Sequence, residues 1–263
     1  MNGGYRFEGK VAVITGGGSG LGRAIAEEFS RLGAKVVVAS RKKARLEAVV
    51  EAIAARGGTA ASVVTDVGKS EDATHLIEVT KATFGAVDIL VNCAAINFIC
   101  PAKDLRPAVW DRVINVVLNG AFYCTRIAGK AMIASGRGGN IVSIVATYAW
   151  GAGPGVVHSA SAKAGVLAMT RTLAVEWARY GIRVNAIAPG PVDTPGAATA
   201  LWPNTAEYER LIRSVPLGRA GRPGEIAAAT SFLCSDLAGF ITGECLTVDG
   251  GEWLRRGYHP PGV

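Results

Sequence analysis

The stretch Thr15-Gly16-Gly17-Gly18-Ser19-Gly20-Leu21-Gly22 decides the fold. It follows the short apolar run Val11-Ala12-Val13-Ile14. It leads into Leu21, Ile25, Phe29 and Leu32, which recur at helical spacing until Gly33. A glycine run by itself marks only a turn. Set between a buried strand and an amphipathic helix, it predicts backbone that adopts φ > 0 and closely approaches a ligand. Its N–H groups and the helix N-terminus can then cradle a pyrophosphate. Thr15, Gly16, Gly18, Ser19, Gly20, Leu21 and Gly22 are therefore candidate phosphate-binding residues.

Outward from this loop the same alternation repeats. Apolar runs predict further strands at 35–39, 62–65, 88–92, 140–144, 183–187 and 245–248. Between them, 3.6-residue periodicity predicts helices at 45–55, 71–84, 110–135, 157–180 and 224–235. The strands are apolar throughout rather than alternating, as in parallel strands covered on both faces. The pattern predicts an α/β fold over residues 1–263: a single-domain, doubly wound parallel sheet of Rossmann type with helices on both faces. Only 189–215 breaks the alternation. A segment of that length in a compact domain is expected to be a substrate-side loop or lid, with Trp202 and Tyr208 shaping the pocket beneath it.

Composition excludes several classes. Hydrophobic residues make up 49% of the 263, enough apolar surface to offset the ordering entropy and exclude a disordered chain. The 34 glycines, about 13% against roughly 7% in average proteins, follow no Gly-X-Y period and so exclude a collagen-like helix. Five cysteines, none in a C-x-x-C pair, predict packing residues in a reducing compartment, with neither a disulfide framework nor a metal site. The first ten residues hold no apolar signal region, so the expected location is cytoplasmic. Residues 138–162 carry no formal charge, but Pro154 and five glycines make them a poor membrane span. The formal net charge is +7, with no basic run longer than Arg41-Lys42-Lys43. That dispersion fits small anionic ligands better than nucleic acid.

The second strand ends at Ala39-Ser40-Arg41, where an NAD-preferring site usually carries Asp or Glu for the ribose 2′-hydroxyl. Ser40 can donate to a 2′-phosphate and Arg41 can pair with it, so NADPH is expected over NADH; the alternative is that Arg41 is simply solvated. Asp66 and Asn92 fall at strand ends along the carboxyl edge, where ligands bind and where plain turn caps also occur. Trp110, Phe122 and Trp150 read as core or interface residues, and His158 as structural.

These strings together resemble the short-chain dehydrogenase/reductase family: T-G-x-x-x-G-x-G at 15–22, Asp66-Val67, Asn92-Cys93-Ala94-Ala95, Pro189-Gly190 with Thr194, and Asp249-Gly250-Gly251. The resemblance covers nearly the whole chain. It implies a nicotinamide cofactor, with Val67 and Ala94 also in its site. It further implies that Pro189, Gly190, Val192 and Thr194 line the nicotinamide end, and that the segment after them closes over substrate.

The usual active site of that family is an Asn, a Ser and a Tyr-x-x-x-Lys pair. Here only the lysine stands, as Lys163; Ser159 occupies the tyrosine position, Ala146 the serine position and Val117 the asparagine position. Asn119 lies two residues beyond Val117, and Tyr148 lies fifteen residues before Lys163. With Asn97-Phe98 after the fourth strand, this set resembles the NADPH-dependent 2,4-dienoyl-CoA reductases, a branch with relocated tyrosine and asparagine. Ile96 stands where that branch would place a glycine.

The resemblance implies Tyr148, Asn119, Lys163 and Ser159 as catalytic residues, Lys163 also on the nicotinamide ribose, and Asn97, Phe98 and Ser159 towards an acyl-CoA substrate. It also implies a homotetramer and a 3-enoyl-CoA product. Two alternatives stay open: a trans-2-enoyl-CoA reductase of the same family, and a catalytically silent nucleotide-binding scaffold, which the three replaced positions motivate.

Overall fold

The computed structural model describes residues 6–194 and 205–255. Seven parallel strands form one sheet in the order β3-β2-β1-β4-β5-β6-β7. They are β1 (Val11–Thr15), β2 (Lys35–Ser40), β3 (Thr59–Val64), β4 (Ile89–Asn92), β5 (Gly139–Ile144), β6 (Ile182–Pro189) and β7 (Cys245–Val248). The order reverses between β1 and β4, which pair with Thr15 opposite Asn92.

The apolar runs are explained by two cores. Ala12, Ile14, Val36, Val38, Ile89 and Val91 face one core, against α1 (Gly20–Arg31), α2 (Lys43–Ala54) and the helix 223–234. Val13, Val37 and Leu90, one residue out of step, face the other core. That core packs on α3 (Ser70–Phe84) and on the C-terminal part of the rod that follows β4. Successive side chains of a strand point to opposite faces, so a strand covered on both must be apolar at every position. The edges depart from this rule: in β3 only Val63 is buried, and Val64 is 54% exposed.

Three expectations need correction. The predicted helix 110–135 begins earlier and is not uniform: α4 (Pro107–Ile114) opens on a proline, whose missing N–H costs nothing in a first turn. It then widens through a π-helical segment, Asn115–Asn119, before α5 (Gly120–Ser135). The helix predicted over 157–180 is α-helical as α6 (Val157–Trp177), then tightens to a 3₁₀ turn. The stretch 189–215 is not irregular throughout, because α7 (Thr205–Ser214) lies inside it; Trp202 lies outside the described residues. The next helix, α8 (Pro223–Cys234), likewise starts on a proline. No helix among the described residues is long and apolar enough to cross a membrane.

One hydroxyl fixes the switch point. Thr15 Oγ1 accepts from the N–H groups of Cys93 (3.1 Å) and Ala94 (3.2 Å), and donates to the Val91 carbonyl (3.3 Å). Asn92 Nδ2 extends the lock sideways, donating to Thr125 Oγ1 (2.8 Å) on α5 and Ser143 Oγ (3.3 Å) on β5. Thr15→Val keeps the shape but strands two backbone donors. It should lower the unfolding free energy by about 1–3 kcal/mol in urea titrations; an unchanged midpoint would show that the hydroxyl holds nothing.

Candidate active site

Gly16 turns the chain out of β1 with φ of 68°, and a Cβ there would lie 2.9 Å from the Ala94 nitrogen. Gly22 sits against the Gly16 carbonyl oxygen, with no room for any side chain. The backbone is thereby folded flat against the crevice. Helix α1 opens with no acidic residue in its first turn, and Ser19 makes no side-chain cap. The first-turn N–H groups are left to an external acceptor, and the helix end favours an anion. The loop thus fits a pyrophosphate on its own geometry.

A cavity of about 900 Å³ runs along the carboxyl edge of the sheet. At one end lie Ser40 and Arg41, as expected, together with Lys42 and Arg45, which the sequence reading missed. Arg45 stands in the first turn of α2, which begins two residues after Arg41, and that closeness in sequence was the available signal. Gly16, Gly18, Ser19, Gly20, Leu21 and Gly22 form the middle of the cavity. Asp66, Val67 and Ala94 face them, and Thr194 closes over Gly20. Asp66 also shapes its own turn, its carboxylate accepting from the Gly68 N–H (3.1 Å).

Other expected cofactor residues serve at one remove. Thr15 and Asn92 lie behind the cavity, around a small internal void that also touches Lys163. Among Pro189, Gly190 and Val192, none lines the cavity. Gly190 packs so tightly on Asp249 that a Cβ would lie 2.7 Å from its Cα, and Val192 is buried and bridged to Gly221. Cys93 packs against the first core and also lines the cavity, and burial pushes its thiol up to about 11.

At the far end the structure gathers Tyr148, Ser159, Asn97 and Lys163. Tyr148 stands on the 3₁₀ turn Thr147–Ala149 after β5, and Ser159 and Lys163 lie one turn apart on α6. Tyr148 Oη is 3.1 Å from Ser159 Oγ and accepts from Asn97 Nδ2 at 3.0 Å. Burial raises the Tyr148 pKa, partly offset by the Ser159 hydrogen bond. Phe98 lies outside this cavity, stacked on the buried His158 ring at 4.3 Å. Asn119 is not brought to the group. It ends the π-helical segment, and its amide donates to Asn115 Oδ1 (3.2 Å), while Asn115 donates to the Gly68 carbonyl (3.1 Å). Trp150 is 37% exposed and meets Trp253 edge-on at 5.7 Å, and Phe122 is 45% exposed, so neither is core.

The family model described as Enoyl-(Acyl carrier protein) reductase matches residues 16–252. The chain is 49% identical over 250 residues to a Bacillus subtilis (strain 168) protein named probable 2,4-dienoyl-CoA reductase, (2E)-enoyl-CoA-producing; the match covers 95% of this chain and 98% of that one. It is 40% identical over 262 residues to the Arabidopsis thaliana peroxisomal 2,4-dienoyl-CoA reductase, (3E)-enoyl-CoA-producing, covering 96% of this chain and 87% of that one. A crystal structure of a short chain dehydrogenase from Bacillus anthracis superposes with a TM-score of 0.90 at 51% identity, over 97% of this chain and all of that one.

Lys163 gives the site a measurable electrostatic signature. It is buried, donates to the Ile144 carbonyl, and desolvation lowers its pKa to about 8. Below pH 8 both folded and unfolded states hold the proton, and the folded state bears the full cost of a buried charge. Between 8 and the unfolded value near 10.5, only the unfolded state stays charged, so stability rises with pH. Without ligand, wild-type stability relative to Lys163→Met should climb by on the order of 3 kcal/mol over that window. A difference flat with pH would contradict a buried, charged amine.

Proposed function

The chain belongs to the short-chain dehydrogenase/reductase family and is an oxidoreductase with a nicotinamide cofactor; from that premise we propose that it reduces 2,4-dienoyl-CoA thioesters with NADPH. The observation that carries the proposal is the Asn97–Tyr148–Ser159 hydrogen-bonded chain, in the same cavity as Lys163. A phenol stands at this site although the family's usual tyrosine position is a serine. The names of the relatives from B. subtilis and A. thaliana support the same substrate class.

The preference for NADPH rests on charge. Ser40, Arg41, Lys42 and Arg45 cluster where β2 meets the cavity, and β2 ends with no acidic residue to accept a ribose 2′-hydroxyl. A 2′-phosphate would meet several charge-assisted donors there.

When bound, the reduced nicotinamide supplies the hydride that adds at the far end of the diene, leaving negative charge delocalised onto the thioester oxygen. The chain's task is to hold that oxygen. The half-buried Tyr148 O–H donates to it, and Ser159 supports the phenol. Lys163 holds the nicotinamide ribose and adds positive charge to the site. Asn119 joins as a second donor by its place in the family pattern; to act, its amide must exchange Asn115 for substrate. The resemblance implies that the dienolate then takes a proton at Cα, from water or a polar group, which gives a 3-enoyl-CoA product. In this reading Tyr208 on α7 lies in the segment expected to shape the acyl pocket, of which residues 195–204 lie outside the described residues. The enzyme is proposed to work in the cytoplasm as a homotetramer, the assembly the family resemblance implies; its described cysteines are all free thiols.

The test follows NADPH and NADH oxidation with a 2,4-dienoyl-CoA, a 2-enoyl-CoA and a simple ketone, and identifies the product by NMR. Turnover should be greatest with the dienoyl thioester and NADPH, yielding the 3-enoyl product. Tyr148→Phe should lower kcat about 10²–10³-fold, the cost of one such donor, with the Kd for NADPH nearly unchanged. Activity on the ketone alone would overturn the substrate class, a 2-enoyl product the site of protonation, and no activity on any would favour the scaffold.

A further inference from the structure

A second cavity, of about 800 Å³, lies at the opposite edge of the sheet, where the strands begin. It shares no residue with the crevice that holds Tyr148 and Lys163. The segments that enter β1, β4, β5, β6 and β7 all contribute to its walls. Two of them meet through glycines. Gly138 and Gly181 both hold φ at 69°, and a Cβ on Gly138 would lie 2.5 Å from the Gly181 carbonyl oxygen. The cavity is of a size that small-molecule sites commonly have.

Its lining is basic. Arg6, Lys10, Arg137 and Arg183 outnumber Asp88 and Asp236. Asp88 is already engaged, accepting from the Val11 N–H (2.9 Å) and the Arg137 guanidinium (2.8 Å). The ion pairs of this edge, Arg6–Glu8 and Arg137–Asp88, leave Lys10 out. Arg183 donates to the carbonyl oxygens of Leu233 (2.7 Å), Ser235 (3.0 Å) and Ile241 (3.1 Å). Carbonyls satisfy its N–H groups without cancelling its charge. A hollow with an excess of positive charge attracts an anion.

The same three carbonyls bracket an apolar rim. Leu237 and Phe240 line the cavity from the loop between α8 and β7; Leu237 is 66% exposed and Phe240 fully exposed. Arg183 and the 3₁₀ turn Asp236–Ala238 hold that loop in place. A plain ion would leave this rim wet, and a neutral lipid would leave the cations unmatched. An acidic bilayer carries both features but is flat, whereas these cations line a hollow.

We propose that the amino-edge cavity binds a single-chain anionic amphiphile of the fatty-carboxylate class, its carboxylate against Lys10 and Arg137 and its hydrocarbon chain along Leu237 and Phe240. The site does not depend on the chemistry proposed for the crevice.

Calorimetric titration of the full chain in the presence of NADP⁺ tests each requirement, with decanoate below its micelle concentration, acetate and decanol as probes. Decanoate should bind at least about tenfold more tightly than acetate, which lacks the chain, and at least about tenfold more tightly than decanol, which lacks the charge. Lys10→Glu and Phe240→Ser should each weaken decanoate binding about tenfold or more, with the KM for the dienoyl thioester unchanged. The Lys10 side chain is exposed and its edge contacts are made by backbone, so Lys10→Glu leaves the fold intact. Equal binding by wild type and both variants would place the ligand elsewhere and overturn the proposal. Acetate bound as tightly as decanoate would reduce the cavity to an ion site, and decanol bound as tightly would reduce it to an apolar patch; either overturns it. Uptake by vesicles of acidic phospholipid without uptake of decanoate would assign the face to a bilayer instead. Sedimentation of Phe240→Ser supplies the remaining check: an assembly that falls apart would show that a second copy of the chain covers the rim, and would overturn the proposal.

Discussion

A single hydroxyl sits where the strand order of the sheet reverses. Thr15 Oγ1 takes the N–H groups of both Cys93 and Ala94 and so ties the exit of β1 to the exit of β4. From that point the chain departs to opposite faces: α1 packs in one core through Ile25 and Phe29, and α5 in the other through Cys124 and Met132. The divergence opens the crevice, as at other α/β switch points. It also explains the glycines. With β1 and β4 pinned together, Gly16 must turn beside Ala94 and Gly22 must lie on the Gly16 carbonyl, and neither position has space for a Cβ.

The same edge assembles the chemistry. Consecutive strands β4 and β5 each release a short segment at their carboxyl ends, carrying Asn97 and Tyr148, and α6 presents Ser159 and Lys163 to them. The tyrosine has moved from helix to turn, and serine has taken its place on the helix. The phenol and the serine hydroxyl remain 3.1 Å apart, so the relocation preserves a hydrogen-bonded pair in front of a buried lysine. The opposite end of the crevice is basic, with Arg41, Lys42 and Arg45, and Gly16, Gly18, Gly20 and Gly22 line the stretch between the two ends.

The central strands were legible because burial on both faces forces apolar residues at every position, as in Val36-Val37-Val38. The edge strand β3 was harder: it begins at Thr59, three residues before its apolar run, because one side of it faces solvent. The π-helical segment Asn115–Asn119 leaves no mark on apolar periodicity, which is why 110–135 reads as one helix. Helix α7 escaped because Thr205-Ala206-Glu207-Tyr208-Glu209-Arg210 is largely polar, and its apolar face is only a few residues wide. In the site, spacing along one helix placed Ser159 beside Lys163. The Asn97–Tyr148 bond spans 51 residues between two loops, a contact that only tertiary structure creates. The resemblance to a family had pointed to both residues but not to their hydrogen bond. It had pointed to Asn119 as well, whose amide the fold holds against Asn115.

The proposed chemistry depends on where a thioester oxygen is held. A crystal structure of the protein with NADP⁺ and a 2,4-dienoyl-CoA measures that directly. The thioester oxygen should lie about 2.6–2.8 Å from Tyr148 Oη, with Asn97 Nδ2 still on the same phenol oxygen. A thioester oxygen held by Ser159 alone, with Tyr148 out of hydrogen-bond reach, would contradict it.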